Sequence, residues 1–489
     1  MNYSRLIKPA LTFTVLLYIF SLWQRVPDVD DAWIGEHAYW LSKVGYVKSE
    51  LMHGITNQEV RHIVHHKFFT LNGFAAIKLF GFSLYSLKTV SLLWTIGFLF
   101  VFFSYVRRKF DQQAALFSIL LLGFNAFIFQ YSFVYRPEIV VMALGFLSFI
   151  FIEKYIEEEK RWYLLVAGFT AGVAASTHLN GFIYIGAGFL TLIWKRKYFP
   201  SIIMAVSVLP GLAIYFYDFT LQYNFDYWLY QINDSPALHK SSVMPSSIRY
   251  ILKILNEHMR FLHSPKEIIL TFLVGASIIF NYKHLKNKTI YLHYLLLLIV
   301  LLSLISVHST SKYLLLYMPV MMIIIVSSAM KLWNDKGEIA GYLSLKSQRK
   351  IFSTILAAYL LLHTGYNIYL ATRKYDTREN AHITSKYFSK DTEDMVIIAP
   401  MEFIFNELPV YSRIQSDLSI SEMQKFRNIK GSEYFIIADK LGINAMMLSD
   451  EYVEKFGLKK YSERDFMTEG YHISGNENGY LFLIKQDSK

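Results

Sequence analysis

Residues 87–106 read LKTVSLLWTIGFLFVFFSYV, and the basic triplet Arg107-Arg108-Lys109 follows directly. An apolar run of about 20 residues is typical of a membrane-spanning helix. The whole chain agrees, since 54% of its 489 residues are hydrophobic and only 18% are charged. Soluble domains contain about a quarter charged residues. The absence of cysteine also excludes thiolate metal sites and cysteine nucleophiles. The sequence therefore predicts a membrane protein.

Similar apolar runs recur along residues 1–374, and together they predict an all-α membrane domain of about eleven transmembrane helices. The predicted spans lie near Pro9–Val26, Leu87–Val106, Ala114–Tyr131, Glu138–Ile152, Trp162–Thr177, Phe182–Trp194, Phe199–Tyr217, Ile268–Phe280, Ile290–Val307, Tyr313–Met330 and Ile351–Ala371. The first run lacks a small-residue cleavage site, so we interpret it as a retained anchor.

The connections between the runs predict the orientation. Every second connection is rich in Lys and Arg, whereas the short connections on the other side carry only Arg136 and Lys312. Basic loops stay in the cytoplasm. We therefore expect a multi-pass protein of the inner (cytoplasmic) membrane with a cytoplasmic N-terminus. With eleven spans, the C-terminal region lies outside.

Two outer connections and the tail are too long to be turns. Residues 27–86 and 218–266 contain amphipathic stretches, such as Ala32–Val44 and Phe68–Phe80, which predict interfacial helices. Residues 375–489 hold 14 Lys and Arg against 19 Asp and Glu, so the positive charge lies in the membrane part and nucleic acid is not indicated as a partner.

The tail alternates strand-like and helical patterns. The runs MVIIAP, EYFIIAD and YLFLIKQ resemble strands, and Ile420–Phe426 and Asp450–Phe456 resemble helices. This predicts a small soluble extracytoplasmic α/β domain. It has no Gly-rich phosphate loop.

Acidic and basic residues gather at the outer ends of the predicted spans, while the span interiors hold few ionisable residues besides His293 and His363. The outer group comprises Asp28, Asp30, Asp31, Glu36, His65, His66, Lys67, Arg136, Glu138, His178, Asn180, His308 and Lys312. Transporters place such groups near the membrane midplane. Acids and bases at one interface instead indicate an enzyme that acts on a lipid-anchored substrate.

Each of these residues also has a purely structural interpretation. Asp30 and Asp31 fit a solvated loop, and Arg136-Pro137-Glu138 fits an ordinary helix start. Lys312 fits a lysine that reaches towards the headgroups. His65 and its neighbouring histidine lack the spacing of a zinc site.

Taken in order, the motifs resemble those of a known family. Asp30-Asp31 follows the first span, and HHKFFTLNGFAAIKLFGFSLYSLK (65–88) and YRPE (135–138) come next. AGVAASTHLNGF (171–182) and SKYLLLYMP (311–319) complete the series. This series resembles the lipid-dependent GT-C glycosyltransferases, in the branch of protein O-mannosyltransferases and lipid A aminoarabinose transferases. Phe68-Phe69 replaces the two prolines usual in that family, and Lys88 stands where an arginine is usual.

The resemblance implies a GT-C fold and a polyprenyl-phosphate sugar as donor. The acceptor would be an extracytoplasmic glycan, lipid or protein, and the transfer would invert the anomeric carbon. Asp30 or Asp31 would be the general base. Asp31 and Glu138 would be the ligands of a divalent cation, Mg²⁺ or Mn²⁺.

The resemblance also implies roles for the basic residues. Lys67, Arg136 and Lys312 would bind the donor phosphate, where negative charge grows as the phosphate leaves. His66 and His178, together with Glu138, would support the site.

Two other functions remain open from the sequence. One is a transporter or flippase for a lipid-linked sugar, which internal repeats or midplane charges would favour. The other is a noncatalytic envelope-assembly protein, in which the acidic residues would be dispensable.

Overall fold

The structure is a computed structural model that describes residues 4–22, 26–234, 246–306, 309–334, 344–373, 382–383, 385–388, 394–408, 410–420 and 429–486. His308 and most of the helix predicted at Ile420–Phe426 lie outside the described residues.

In the described residues of the N-terminal part of the chain, every regular element is a helix. Its helices are α1 (Ser4–Ser21), α2 (Val29–Val44), α3 (Lys67–Phe80), α4 (Leu84–Lys109), α5 (Gln112–Phe124), α6 (Ala126–Tyr131), α7 (Glu138–Glu158), α8 (Trp162–Thr177), α9 (Phe182–Trp194), α10 (Tyr198–Ser207), α11 (Leu209–Ala213), α12 (Phe225–Asn233), α13 (Ser246–Leu255), α14 (His258–Phe261), α15 (Pro265–Lys288), α16 (Tyr291–Ile305), α17 (Met318–Asn334) and α18 (Leu345–Thr372).

Six helical segments among the described residues are long and apolar enough to cross a membrane. They are Leu84–Lys109, Glu138–Glu158, Tyr198–Phe216, Pro265–Lys286, Ser311–Asn334 and Leu345–Thr372. Each of the other five predicted spans coincides with a shorter apolar helix. The structure therefore shows a multi-pass helical membrane protein, but it does not confirm the predicted count of eleven spans.

The core of the helical part lies around α7 and α17. Both helices are buried along most of their length, and α8, α4 and α15 are among their neighbours. Close packing depends on small residues at the contacts. A Cβ added at Gly145 would lie 2.1 Å from the ring of Tyr184, so α9 reaches the backbone of α7.

Helices α2 and α3 form in the long connection at residues 27–86, where the sequence predicted helices. They pack against each other, and Gly73 of α3 lies against Ala38 of α2 and against the Tyr135 ring. This contact places the residue before Arg136 directly beside α3.

The tail contains a five-stranded sheet with the strand order β2-β1-β3-β5-β4. Its elements are β1 (Val396–Ala399), α19 (Ile404–Glu407), β2 (Arg413–Ser416), α20 (Ser432–Lys440), β3 (Ala445–Ser449), α21 (Asp450–Lys455), α22 (Glu463–Thr468), β4 (Tyr471–Glu477) and β5 (Tyr480–Lys485). Strands β2, β1 and β3 are parallel, and β5 is antiparallel to both of its neighbours. The tail is thus a small α/β unit.

One strand prediction in the tail is wrong. The run EYFIIAD lies in helix α20. Tyr434, Phe435 and Ala438 are buried, while Ile436 is 54% exposed. This is the one-sided burial of a helix, and the short apolar run could not distinguish it from a strand.

The tail packs on the connection at residues 27–86. The Ser416 amide donates a hydrogen bond of 3.0 Å to the Leu51 carbonyl. The Phe405 ring lies 5.6 Å from the Phe82 ring and also contacts Gly35 of α2. The tail therefore lies at the end of the helical part that carries α2 and α3.

Candidate active site

The two ends of the helical part differ in chemistry. At one end, Lys109 lies 3.2 Å from Glu153, and the Tyr105 hydroxyl donates to the same carboxylate at 2.8 Å. The opposite end, which we call the Arg136 end, gathers most of the predicted site residues. It is also the end on which the tail sheet packs.

Arg136 is the centre of an ionic cluster. Its Nε and Nη2 donate to Glu138 at 3.2 and 2.9 Å, and its Nη1 contacts Asp30 and lies 3.5 Å from Asp28. The local sequence explains this position of Arg136, because Pro137 caps the start of α7 directly after it. One guanidinium thus holds three carboxylates, which we call the Arg136 cluster.

The members of the Arg136 cluster differ in accessibility. The Glu138 side chain is 2% exposed, whereas the side chains of Asp30 and Asp28 are 20% and 35% exposed. Asp30 therefore combines contact with a cation and access to a substrate.

Asp31 has a different environment from Asp30. It is fully buried, and its carboxylate accepts the backbone N–H groups of Asp28, at 2.7 Å, and of Tyr135. Buried Lys88 lies 3.3 Å away. Burial raises the pKa of Asp31, against the opposing effect of Lys88. Asp31 thus closes the capping box of α2 and fixes the backbone before Arg136.

His66, His178 and Lys312 surround the Arg136 cluster. The two imidazole rings stack 4.8 Å apart, and His178 lies 5.7 Å from the Tyr313 ring. Burial lowers the pKa of His66 to about 4 and that of His178 to about 3, although Glu138 opposes both shifts. Both rings are therefore neutral near pH 7. Because His178 Nδ1 accepts from the Asn180 amide at 2.9 Å, its proton is on Nε2.

Lys312 is the most available cation of this group. It is partly exposed, and it forms no ion pair with any of the described residues. Its charge acts on both His66 and His178, which shows that it lies near them.

Lys67 points away from the Arg136 cluster. Its Nζ lies 2.5 Å from Asp218 Oδ1, while His65 Nε2 lies 2.9 Å from Asp218 Oδ2. Burial lowers the pKa of Lys67 to about 8, against the opposing effect of Asp218. The rings of Tyr215 and Tyr217 lie 5.5 and 5.7 Å from the ammonium. Lys67 is therefore already paired.

The predicted Mg²⁺ or Mn²⁺ ion does not fit Asp31 and Glu138. The oxygens of Asp31 are occupied by two N–H groups and Lys88, and those of Glu138 by Arg136. Within the described ranges, no group of three metal-ligating side chains stands close enough to hold an ion. We therefore assign no catalytic step to a metal.

The sequence analysis did not identify the roles of three residues at the candidate site. Asp28 was noticed only as part of an acidic run, although its position before α2 is a helix-cap signal. Asp218 gave no local signal, because it is 151 residues from its partner Lys67. Lys88 was seen only as an arginine replacement, but it is the buried counterion of Asp31.

Comparison with known proteins agrees with this architecture. Residues 69–217, about a third of the chain, match the family model of dolichyl-phosphate-mannose-protein mannosyltransferase. The matched segment contains Arg136, Glu138 and His178. No curated protein has a sequence that matches this chain significantly.

Solved structures extend the likeness to the whole chain. The ArnT protein of Cupriavidus metallidurans bound to undecaprenyl phosphate superposes with a TM-score of 0.61 at 10% identity, over 100% of this chain and 99% of that one. Its apo form gives 0.61 at 11% identity, over 99% and 98%. The apo oligosaccharyltransferase of Archaeoglobus fulgidus gives 0.56 at 13% identity, over 90% of this chain and 70% of that one.

The protein is a multi-pass membrane protein with the GT-C fold. The resemblance drawn from its motifs is confirmed by the family match and by these structures. At this level of identity, the solved structures show a common fold. A common fold does not determine the reaction, which depends on the residues of the site.

Proposed function

We propose that this protein is an integral membrane glycosyltransferase that transfers a sugar from a polyprenyl-phosphate donor to an extracytoplasmic acceptor, with inversion. The observation that carries the proposal is the Arg136 cluster with its partly exposed Asp30, together with the nearby cation Lys312, which forms no ion pair with the described residues. The family match and the undecaprenyl phosphate bound to ArnT support it.

Asp30 is the proposed general base. Its carboxylate contacts Arg136 and is 20% exposed, so an acceptor can reach it and pass it a proton. Asp31 is not assigned this role, because it is buried and both of its carboxylate oxygens already accept hydrogen bonds. We therefore assign Asp31 to positioning the Tyr135–Arg136 backbone.

Lys312 and Arg136 are the proposed phosphate ligands. Lys312 forms no ion pair with the described residues and lies near the Arg136 cluster, whereas Lys67 is directed to Asp218 and away from that cluster. Arg136 offers a planar, two-point contact once its carboxylate partners make way.

The reaction balances with these groups alone. The acceptor oxygen or nitrogen forms a bond to the anomeric carbon, and its proton passes to Asp30. The bond between the anomeric carbon and the phosphate oxygen breaks, and the electron pair leaves with polyprenyl phosphate. Lys312 and Arg136 stabilise the charge that develops there. A single displacement of this kind inverts the anomeric configuration.

The arrangement in the membrane belongs to the same proposal. Residues 1–374 form the catalytic membrane domain, with outer connections at 27–86 and 218–266, and residues 375–489 form the outer α/β domain. The N-terminus lies in the cytoplasm and the membrane is the inner one. The Arg136 end then faces outward, where lipid-linked sugars replace nucleotide sugars as donors.

The test compares Lys312→Gln and Arg136→Lys with wild type in cells that lack the chromosomal copy. Both variants should leave a polyprenyl-phosphate sugar accumulated and remove one sugar from the envelope, measured by mass spectrometry of lipid and glycan extracts. Lysine keeps the charge at position 136 but not the two-point contact.

Lys78→Gln is the matched control, because Lys78 is an exposed cation of α3 whose ammonium donates to the Ser42 carbonyl. It should behave as wild type. Normal envelope sugars in both site variants would reject the proposed phosphate site. A donor that accumulates only on the inner leaflet would favour the flippase.

A further inference from the structure

A buried ion pair that the proposed mechanism does not use lies against the 3₁₀ helix Ser311–Tyr317, which carries Lys312 and which we call the Lys312 helix. Glu257 directly precedes α14 and Arg260 lies within it, and their side chains are 5% and 0% exposed. Arg260 Nε and Nη2 donate to the two carboxylate oxygens of Glu257 at 2.6 and 3.3 Å. The guanidinium and the carboxylate thus form a two-point contact of fixed geometry.

The pair contacts the chain at both ends of the Lys312 helix. Arg260 Nη1 donates to the Thr310 carbonyl at 2.6 Å, two residues ahead of Lys312. At the other end of this helix, the Tyr317 hydroxyl donates to Glu257 at 3.0 Å. One ion pair therefore holds the whole turn on which Lys312 stands.

The guanidinium of the pair also contacts an aromatic ring of the candidate site. Arg260 lies 5.4 Å from the centroid of the Tyr313 ring. The Lys312 ammonium lies 5.6 Å from the same centroid, and the His178 ring lies 5.7 Å from it. Tyr313 therefore connects the ion pair to Lys312 and to one of the imidazole rings around the Arg136 cluster.

The Lys312 helix needs such contacts from outside itself. A 3₁₀ helix of more than three or four residues is uncommon, because its hydrogen bonds have poor geometry. The Lys312 helix has seven residues, and no side chain caps its start. Burying an ion pair also costs free energy, since both charges lose their hydration. The contacts of this pair favour a role in holding the Lys312 helix in one position.

We propose that the Glu257–Arg260 pair positions Lys312 for the donor phosphate by fixing the Lys312 helix beside the Arg136 cluster. This inference rests on the proposed function, in which Lys312 binds that phosphate. Glu257 and Arg260 are positioning residues, since neither touches the donor. The connection at residues 218–266 thereby takes part in donor binding through Lys312.

The test is a double-mutant cycle that measures binding of undecaprenyl phosphate to the full-length protein in detergent, by isothermal titration calorimetry. Lys312→Gln should weaken binding about tenfold, because it removes one charged contact to the phosphate. Glu257→Gln combined with Arg260→Gln, the paired variant, should weaken binding about fivefold while Lys312 is present. In the Lys312→Gln background the paired variant should change the affinity less than about twofold, because its effect acts through Lys312.

The paired variant removes both charges together, so it leaves no unpaired charge in the interior and should fold, as judged by gel filtration. Tyr317→Phe removes only the hydroxyl that donates to Glu257. It should weaken binding about twofold, again only while Lys312 is present, and it decides the test if the paired variant does not fold.

His258→Gln is the matched control. His258 is an exposed residue of α14, and its ring contacts the Leu255 carbonyl rather than the Lys312 helix. This variant should bind undecaprenyl phosphate as wild type does.

Two results would overturn the proposal. One is a loss of affinity that is equally large in the Lys312→Gln background, in which case the pair stabilises the fold without positioning Lys312. The other is a folded paired variant that binds undecaprenyl phosphate as tightly as wild type. Wild-type affinity in Lys312→Gln would instead reject the proposed phosphate site, and this inference with it.

Discussion

Asp30 and Asp31 are adjacent in the chain, and the structure gives them opposite tasks. Asp30 is partly exposed and touches Arg136, while Asp31 is buried against Lys88. We expect Asp30→Asn to fold normally and to lower transfer by about 10²–10⁴, because the base is removed. The measurement is the rate of sugar transfer in membranes at matched expression. A rate within error of wild type would remove Asp30 from the mechanism.

Asp31→Asn should act on stability instead. The substitution breaks the buried ion pair with Lys88, and losing one partner of such a pair typically costs about 3–5 kcal/mol. Thermal unfolding in detergent should therefore show a large loss for Asp31→Asn and almost none for Asp30→Asn. Equal melting temperatures would contradict the assignment of Asp31 to the scaffold.

Asp417, in the tail, makes stability depend on pH. Burial, with help from Glu402, raises its pKa from the usual 3.8 to about 7. Between these two values the folded state holds a proton that the unfolded state has lost. The free energy of unfolding should therefore fall by about 1.4 kcal/mol per pH unit as the pH rises from about 4 to 7. Asp417→Asn should flatten this profile and stabilise the protein at pH 8, as measured by melting temperature.

Two helix glycines test how closely the elements approach. A Cβ at Gly73 of α3 would lie 1.8 Å from the Tyr135 hydroxyl, whereas a Cβ at Gly97 of α4 meets nothing within 4 Å. Gly73→Ala should destabilise by about 1–3 kcal/mol through overpacking. Gly97→Ala should cost nothing, since alanine favours a helix. The comparison is made by thermal unfolding, and similar melting temperatures for the two variants would contradict this packing.

At the level of elements, pattern alone predicted much of the fold. The lengths of the apolar runs and the periodicity of apolar residues located the membrane helices. They also located α2, α3 and two of the tail strands. The run Glu433–Asp439 was misassigned because an apolar run of seven residues fits a strand or a buried helix equally well. Strands β2, β3 and β4 were missed, since they are short and depend on their neighbours in the sheet.

The candidate site could be predicted only where order in the sequence was informative. The motif order brought Asp30, Arg136, Glu138, His178 and Lys312 into one group. It could not show that Lys67 turns away, because its partner Asp218 comes from a distant connection.

The orientation in the membrane is a prediction about the whole molecule. A reporter that is active only outside the cytoplasm should be active when fused after Lys489 and inactive when fused at Lys109. The Lys- and Arg-rich connections of the sequence predict this orientation. Because the tail packs at the Arg136 end, the opposite pattern would place the whole site on the cytoplasmic side and reject the lipid-linked donor.

Helix α2 contacts both the site and the tail. Its first turn carries Asp30 and Asp31, and Gly35, one turn further on, contacts Phe405 of the tail. The tail therefore cannot be exchanged independently of α2. A chimera that takes its tail from a relative must bring the matching α2 face with it, or the foreign ring at position 405 will press on the helix that presents the base. Evolution of this fold should accordingly change the two surfaces together.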